Sequence, residues 1–321
     1  MYEGRVVSQT KDHSVQALNG QGLDLTNIDH TTQQEIDAYL VTRWKGRGPL
    51  YDQYAMSLML DYAPDFAKLH WRGAEVFRTL PSDPETYDPA FATPNSIQQL
   101  HSYMVLGWET GIRNQFRVLR RLGFTRGQIM EIVMFGRLVA GMRGLGHVYH
   151  AVGDMLPDYA DGHGNPTFPG GWEADPLAFR SGLDLDTNEL TDHDRKCLAD
   201  WYERTIGYVP KSVQFGMRWD PQLLKVHRAM WERAIKTLPK QVAPYLMLRD
   251  ATLNSDRDAL REAALLGKAW GLTPDWIIRG ITQTVQYFTG LRGMYAAYDA
   301  VDDILSNWED GENSSNGIAA T

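Results

Sequence analysis

The sequence predicts an all-α fold in which one helical unit is used twice. Apolar residues recur at three- and four-residue intervals along most of the chain, and capping residues mark the helix starts. No stretch alternates apolar and polar residues as a half-buried strand would. The third observation is a repeat. Setting residues 126–156 against 275–305 at an offset of 149 pairs Ile129 with Ile278, Gly141 with Gly290, Arg143 with Arg292, Gly144 with Gly293, Tyr149 with Tyr298 and Val152 with Val301. Self-similarity on this scale points to two copies of one supersecondary unit sharing a core, and two such copies are expected to be related by a pseudo-twofold axis.

Composition narrows the function classes. Of 321 residues, 43% are hydrophobic and 22% charged, and the formal net charge is −8. An acidic chain has no general affinity for a phosphate backbone, so nucleic acid is not an expected partner. No 18-residue apolar run occurs, and the first residues lack the apolar core of a signal peptide. The expectation is a soluble, cytoplasmic protein with no membrane partner. The one cysteine, Cys197, excludes an internal disulfide and a two-cysteine redox mechanism within one chain.

Residues 1–30 are polar with no sustained period and look like an arm, flexible or laid over another surface. Thr32 and Glu35 form a capping box, and Ile36, Tyr39, Leu40 and Trp44 follow at helical spacing. They predict a helix over 33–44, stopped by Gly46, Gly48 and Pro49. Residues 51–80 continue in helical period with a corner at Ala63-Pro64, because the residue before proline is pushed out of the helical region. The corner returns 157 residues later: Pro64 matches Pro221, Lys68 matches Lys225 and His70 matches His227. Thr79-Leu80-Pro81 reappears as Thr237-Leu238-Pro239. Residues shared in this way serve shared architecture, so His70 and His227 are read as structural.

Residues 82–95 are a proline-rich insertion of the first half that could form a lid. A helix bearing His101, Tyr103 and Trp108 is expected to run through Phe116 and Leu119 and end near Gly123. Thr125 with Gln128, and Thr273 with Pro274, start the next helix of each half. Residues 157–190 are rich in proline and glycine and look like a linker, and the tail from Glu309 is expected to be disordered. The resulting organisation is an arm and helix over 1–45, repeat 1 over 46–156, a linker over 157–195, repeat 2 over 196–308 and a tail over 309–321.

The chemistry differs between the halves. The first carries Glu131, Arg143, His147 and His150, where the second has Gly280, Arg292, Ala296 and Asp299. Arg143, His147 and His150 are spaced i, i+4 and i+7 and share one face if helical. A carboxylate with an imidazole can move a proton between two substrate atoms, and Arg143 could hold a substrate carboxylate. The competing explanation is that Glu131 pairs with Arg137 or Arg143 and the histidines are satisfied core groups. The persistence of Arg143 as Arg292 suits a partly structural arginine. A metal on His147, His150 and Glu131 is a further option, but no additional ligand can be assigned.

The spacing Glu131, Arg143, Gly146, His150 resembles the E-x11-C-x2-C-x3-H signature of the alkyl hydroperoxidase D family, with Arg143 and Gly146 at the cysteine places. Leu122-Gly123-Phe124-Thr125, Glu131-Ile132-Val133 and Gly141 look like the carboxymuconolactone decarboxylase branch of that superfamily, which also lacks the cysteine pair. Gln115 stands where members commonly place a histidine. The resemblance implies a duplicated helical fold, assembly as a homo-oligomer (dimer or trimer), and chemistry without cofactor or metal; a thiol peroxidase is excluded by the missing cysteines. The expected function is an acid–base enzyme, a lyase such as a decarboxylase, or an isomerase or hydrolase, acting on a small carboxylated ring or lactone. Glu131, His150 and His147 would be catalytic, with Arg143, His101, Tyr103 and Trp108 binding substrate. The alternative is a non-catalytic binding or assembly protein on the same scaffold.

Overall fold

The computed structural model describes residues 22–44, 58–76, 89–162 and 164–308. Among these every regular element is helical and no strand occurs. Residues 82–88 of the expected lid, and the tail from Glu309, lie outside the described residues.

The chain divides into two compact units. The first comprises the described residues of Met1–Phe179 with Met230–Pro239, and the second those of Arg180–Ala229 with Lys240–Thr321.

Unit 1 begins with α1 (Gln33–Trp44), matching the expected span, then a helical stretch at 58–62 and α2 (Pro64–Val76) across the expected corner. The described end of the arm is packed: Leu23 and Leu25 are buried with Tyr39, Leu60, Ala67 and Trp71. The bundle proper is α3 (Ala92–Leu106), α4 (Glu109–Arg121) and α5 (Arg126–Val152). On α4 the apolar residues Ile112, Phe116 and Leu119 fall on one buried face, and the arginines take the rest.

One helix was expected where α3 and α4 are two. The break is at Gly107, which closes α3 in the left-handed conformation (φ 73°, ψ 31°). Glycine adopts that region without a Cβ penalty. Thr125 and Gln128 form the expected capping box on α5. Helical dihedrals fail inside α5 only at Gly141 (φ 62°, ψ −156°), a region confined to glycine. The expected linker is pinned along part of its length. Gly162 and Gly164 donate to the Phe124 and Gly123 carbonyls, and Phe179 is buried against Trp231.

Unit 2 contains α6 (Asp192–Ile206), α7 (Lys211–Trp219), most of α8 (Pro221–Ala234), α9 (Val242–Asn254), α10 (Arg257–Ala269), α11 (Pro274–Thr284), a π-helical turn (Val285–Thr289) and α12 (Leu291–Ser306). Cys197 is half-buried on α6, its Sγ 3.5 Å from His193 Nε2.

Several local structures recur at the offsets seen in the sequence. Gly290 has φ 57° and ψ −158°, within a few degrees of Gly141. Arg113 donates to the Ala151 carbonyl and pairs with Asp154, and Arg261 donates to the Ala300 carbonyl and pairs with Asp303. The corner has the same ladder in both units: Ala63 N–H to Met59 C=O and Asp220 N–H to Gly216 C=O. Lys68 and Lys225, shared in the sequence, are both buried ammonium groups. Lys68 donates to the His30 carbonyl and Glu35, Lys225 to the Glu189 carbonyl and Asp194. Each acid also caps the helix after Thr32 or Thr191. Burial pushes both carboxyls up. The lysine, with the backbone N–H groups around each acid, outweighs that and holds both at about 2.

Candidate functional site: a carboxylate shared by two histidines

The turn between α3 and α4, Gly107-Trp108-Glu109, faces the C-terminal part of α5. Glu109 sits in the first turn of α4, where the helix dipole favours an acid. One of its oxygens, Oε1, is 3.0 Å from Nδ1 of His147 and 3.3 Å from Nδ1 of His150. The hydrogen bond from His147 holds the Glu109 carboxyl below the ordinary glutamate value; partial desolvation opposes it and His150 adds to it. An ionised carboxylate only accepts, so both Nδ1 atoms must carry the protons, and in the neutral rings the Nε2 lone pairs are free.

The two rings differ in surroundings. The His150 side chain is 69% exposed, that of His147 24%. His147 Nε2 is buried with no hydrogen-bond partner among the described residues. It lies against Gly107, where an added Cβ would fall 2.7 Å from that nitrogen. Gly107 is thus favoured by its positive φ and required by the imidazole beside it.

Other expected site residues lie elsewhere. Glu131 does not bond to either histidine. Its carboxylate accepts from the backbone N–H groups of Lys236, Thr237 and Leu238 at 2.9–3.2 Å and from the Thr237 hydroxyl at 2.8 Å. Those donors form an anion-binding turn at the repeated Thr-Leu-Pro motif. Neither Arg137 nor Arg143 pairs with Glu131: Arg137 donates to the Met230 sulfur, and Arg143 is exposed with no hydrogen bond among the described residues. His101 and Tyr103, expected to contact substrate, are core residues. His101 is wholly buried, its ring 6.0 Å from that of Phe135, and Tyr103 is buried with its ring against Gly111. Trp108 is partly exposed, edge-on to Tyr103. Helical spacing gave the helix that carries His101 and Tyr103, with Trp108 just past its end, but it could not say which way the helix faces.

Unit 2 shows what the same places do without the histidines. Arg257 stands for Glu109 and Asp299 for His150, and they form an ion pair at 2.7 Å. Ala296 stands for His147. Ser255 stands for Gly107 and keeps its left-handed conformation (φ 53°, ψ 36°). A tie between these two helices therefore belongs to the scaffold, and its sign is reversed between units. The half-buried imidazole of His147 has no counterpart in unit 2. Sequence reasoning missed Glu109 and Gly107, although the joint replacement of Glu109 and His150 by Arg257 and Asp299 was a signal within the chain.

A cleft of about 390 Å³ lies apart from these residues, lined by Arg117, Arg120, Arg121, Asp161 and Gly162. Among the described residues no three His, Cys, Asp or Glu side chains are grouped as ligands for a metal ion, and no helix is long and apolar enough to cross a membrane. Comparison with protein families, curated proteins and solved structures finds no match. The class that fold and site define is an all-helical two-unit chain with a carboxylate–imidazole cluster in one unit.

Proposed function

We propose that unit 1 is an acid–base enzyme of the kind the sequence resemblance implies, acting without a cofactor on a small carboxylated ring or lactone. Glu109 replaces Glu131 as the carboxylate that works with the histidines. The observation that carries this is the single Glu109 oxygen held by two imidazole Nδ1 atoms, one ring exposed and one half-buried. With Nδ1–H committed to Glu109, the exposed His150 offers a lone pair at Nε2 and can take a proton from substrate. Glu109 stabilises the imidazolium that forms, and the same nitrogen returns the proton to a different substrate atom. His147 fixes Glu109 from the buried side. Arg143, one helical turn before His147 and exposed, is free to hold a substrate carboxylate. The scaffold is read as a duplicated unit, on the support of the recurring glycine conformation, arginine tie and buried lysine.

The test is turnover of a panel of lactones and carboxylated rings by the wild type, Glu109→Gln and His150→Asn. Each substitution is expected to lower turnover by roughly a hundredfold, as loss of a general acid–base group does, with the fold retained by circular dichroism. Full turnover by both variants rules the scheme out. A binding or assembly protein is the second reading, favoured by the Arg257–Asp299 pair, which shows that this place can serve as a plain helix–helix tie. A wild type that turns over no member of the panel favours it.

A further inference from the structure

Each unit carries an exposed apolar stripe, and the two stripes use the same positions. In unit 1 it is Leu58, Tyr62, Phe66 and Leu69, 47–82% exposed; in unit 2 it is Phe215, Trp219, Leu223 and Val226, 40–65% exposed. All four pairs are related by the offset of the Pro64–Pro221 corner. A spacing of four before the corner and of three after it puts the two residues of each helix on one face of that helix. Each stripe runs across its corner: Leu58 and Tyr62 precede it and Phe66 and Leu69 lie on α2, as Phe215 and Trp219 lie on α7 and Leu223 and Val226 on α8. The corner residue closes one helix and opens the next in both, Ala63 N–H bonding to Met59 C=O and Ala63 C=O accepting from Ala67 N–H, Asp220 N–H bonding to Gly216 C=O and Asp220 C=O accepting from Leu224 N–H. The opposite face is already packed, with Leu60, Ala67 and Lys68 buried in unit 1 and Val213 and Lys225 in unit 2. Helices apolar on both sides are stable when both sides are covered, and apolar patches of this kind mark interaction sites.

We propose that the two stripes are the two sides of one interface between copies of this chain, the unit 1 stripe of one copy packing on the unit 2 stripe of the next. The charges beside them choose this pairing. Asp61 and Asp65 flank the first stripe, and the same positions in the second are Arg218 and Gln222, all exposed. The Arg218 guanidinium lies over the Trp219 ring, 4.6 Å from its centroid, and so on the stripe itself. When two equivalent helix corners pack about a local dyad, residues near the centre meet their own equivalents, and positions 61 and 218 are near the centre. Like on like would set Asp61 against Asp61, or Arg218 against Arg218. Unlike pairing sets Asp61 against Arg218. Such a heterologous contact repeats from copy to copy and closes into a ring if the rotation allows. A negatively charged membrane is a poor occupant for a stripe flanked by two aspartates on an acidic chain.

Sedimentation of the full chain between about 1 and 100 µM tests this. The wild type is expected to sediment as an oligomer of the 36.4 kDa chain, and Tyr62→Glu or Trp219→Glu as a monomer with unchanged circular dichroism. Because those changes could also unfold the chain, the milder charge swaps decide. Asp61→Arg and Arg218→Asp are each expected to weaken association at least tenfold, and the double swap to restore it. A wild type that stays monomeric overturns the proposal, as does a double swap no better than the single ones. Flotation of monomer with phosphatidylcholine vesicles would identify a bilayer as the occupant and overturn it too.

Discussion

Gly107 and His147 are matched to each other, and unit 2 supplies the control. Where His147 becomes Ala296, the left-handed residue becomes Ser255, because the space against the imidazole is no longer needed. Gly107→Ala should therefore destabilise the protein by about 1–3 kcal/mol, combining a strained φ with a displaced ring. Adding His147→Ala should return part of that loss, giving strong non-additivity in a cycle of denaturant unfolding measurements. Simple additivity would mean the ring and the glycine do not touch. Glu131 is read differently. Its carboxylate holds three backbone N–H groups and a hydroxyl, so Glu131→Gln is expected to cost about 1–3 kcal/mol of stability while the wild-type rate of turnover is kept. Loss of turnover at undiminished stability would return Glu131 to the chemistry.

At the level of elements, the sequence was most legible where the signal is local. The capping boxes at Thr32 and Thr125, the proline start at Thr273-Pro274 and the corner at Ala63 each act within a turn of themselves, and each is found as expected. What was not legible depends on partners far along the chain. Glu109 meets imidazoles 38 and 41 residues away, and Glu131 meets donors more than 100 residues away. The α10 helix holds a further group that no local pattern announces. Glu262 is pushed up to about 7, chiefly by burial, with Arg228 pulling it down and Asp256 adding to the rise. A folded-state value above the unfolded one, near 4.5, means that the folded chain binds the extra proton between them. Its contribution is fully present below pH 4.5 and is lost as pH rises through about 7. Glu262→Gln should flatten the fall in stability across that window, as seen by unfolding at several pH values. An unchanged slope would show the carboxyl to be hydrated.

Across the whole molecule a set of local structures recurs and the histidine cluster does not. The buried lysines, the arginine ties at Asp154 and Asp303 and the two kinked glycines recur in both units. The expectation that catalytic groups are those missing from the second copy selected His147 and His150 from the sequence. It also selected Glu131, because an acid that braces a distant turn is lost from a copy as readily as one that moves protons. The central claim is that the Glu109 tie carries chemistry and its counterpart in unit 2 does not. The measurement that reaches it most directly compares Glu109→Gln with Arg257→Gln, in turnover and in unfolding free energy side by side. A small, similar loss of stability is expected in both, with a loss of turnover of roughly a hundredfold in Glu109→Gln alone. Equal turnover in the two variants would contradict it and leave Glu109 a helix–helix tie like its counterpart.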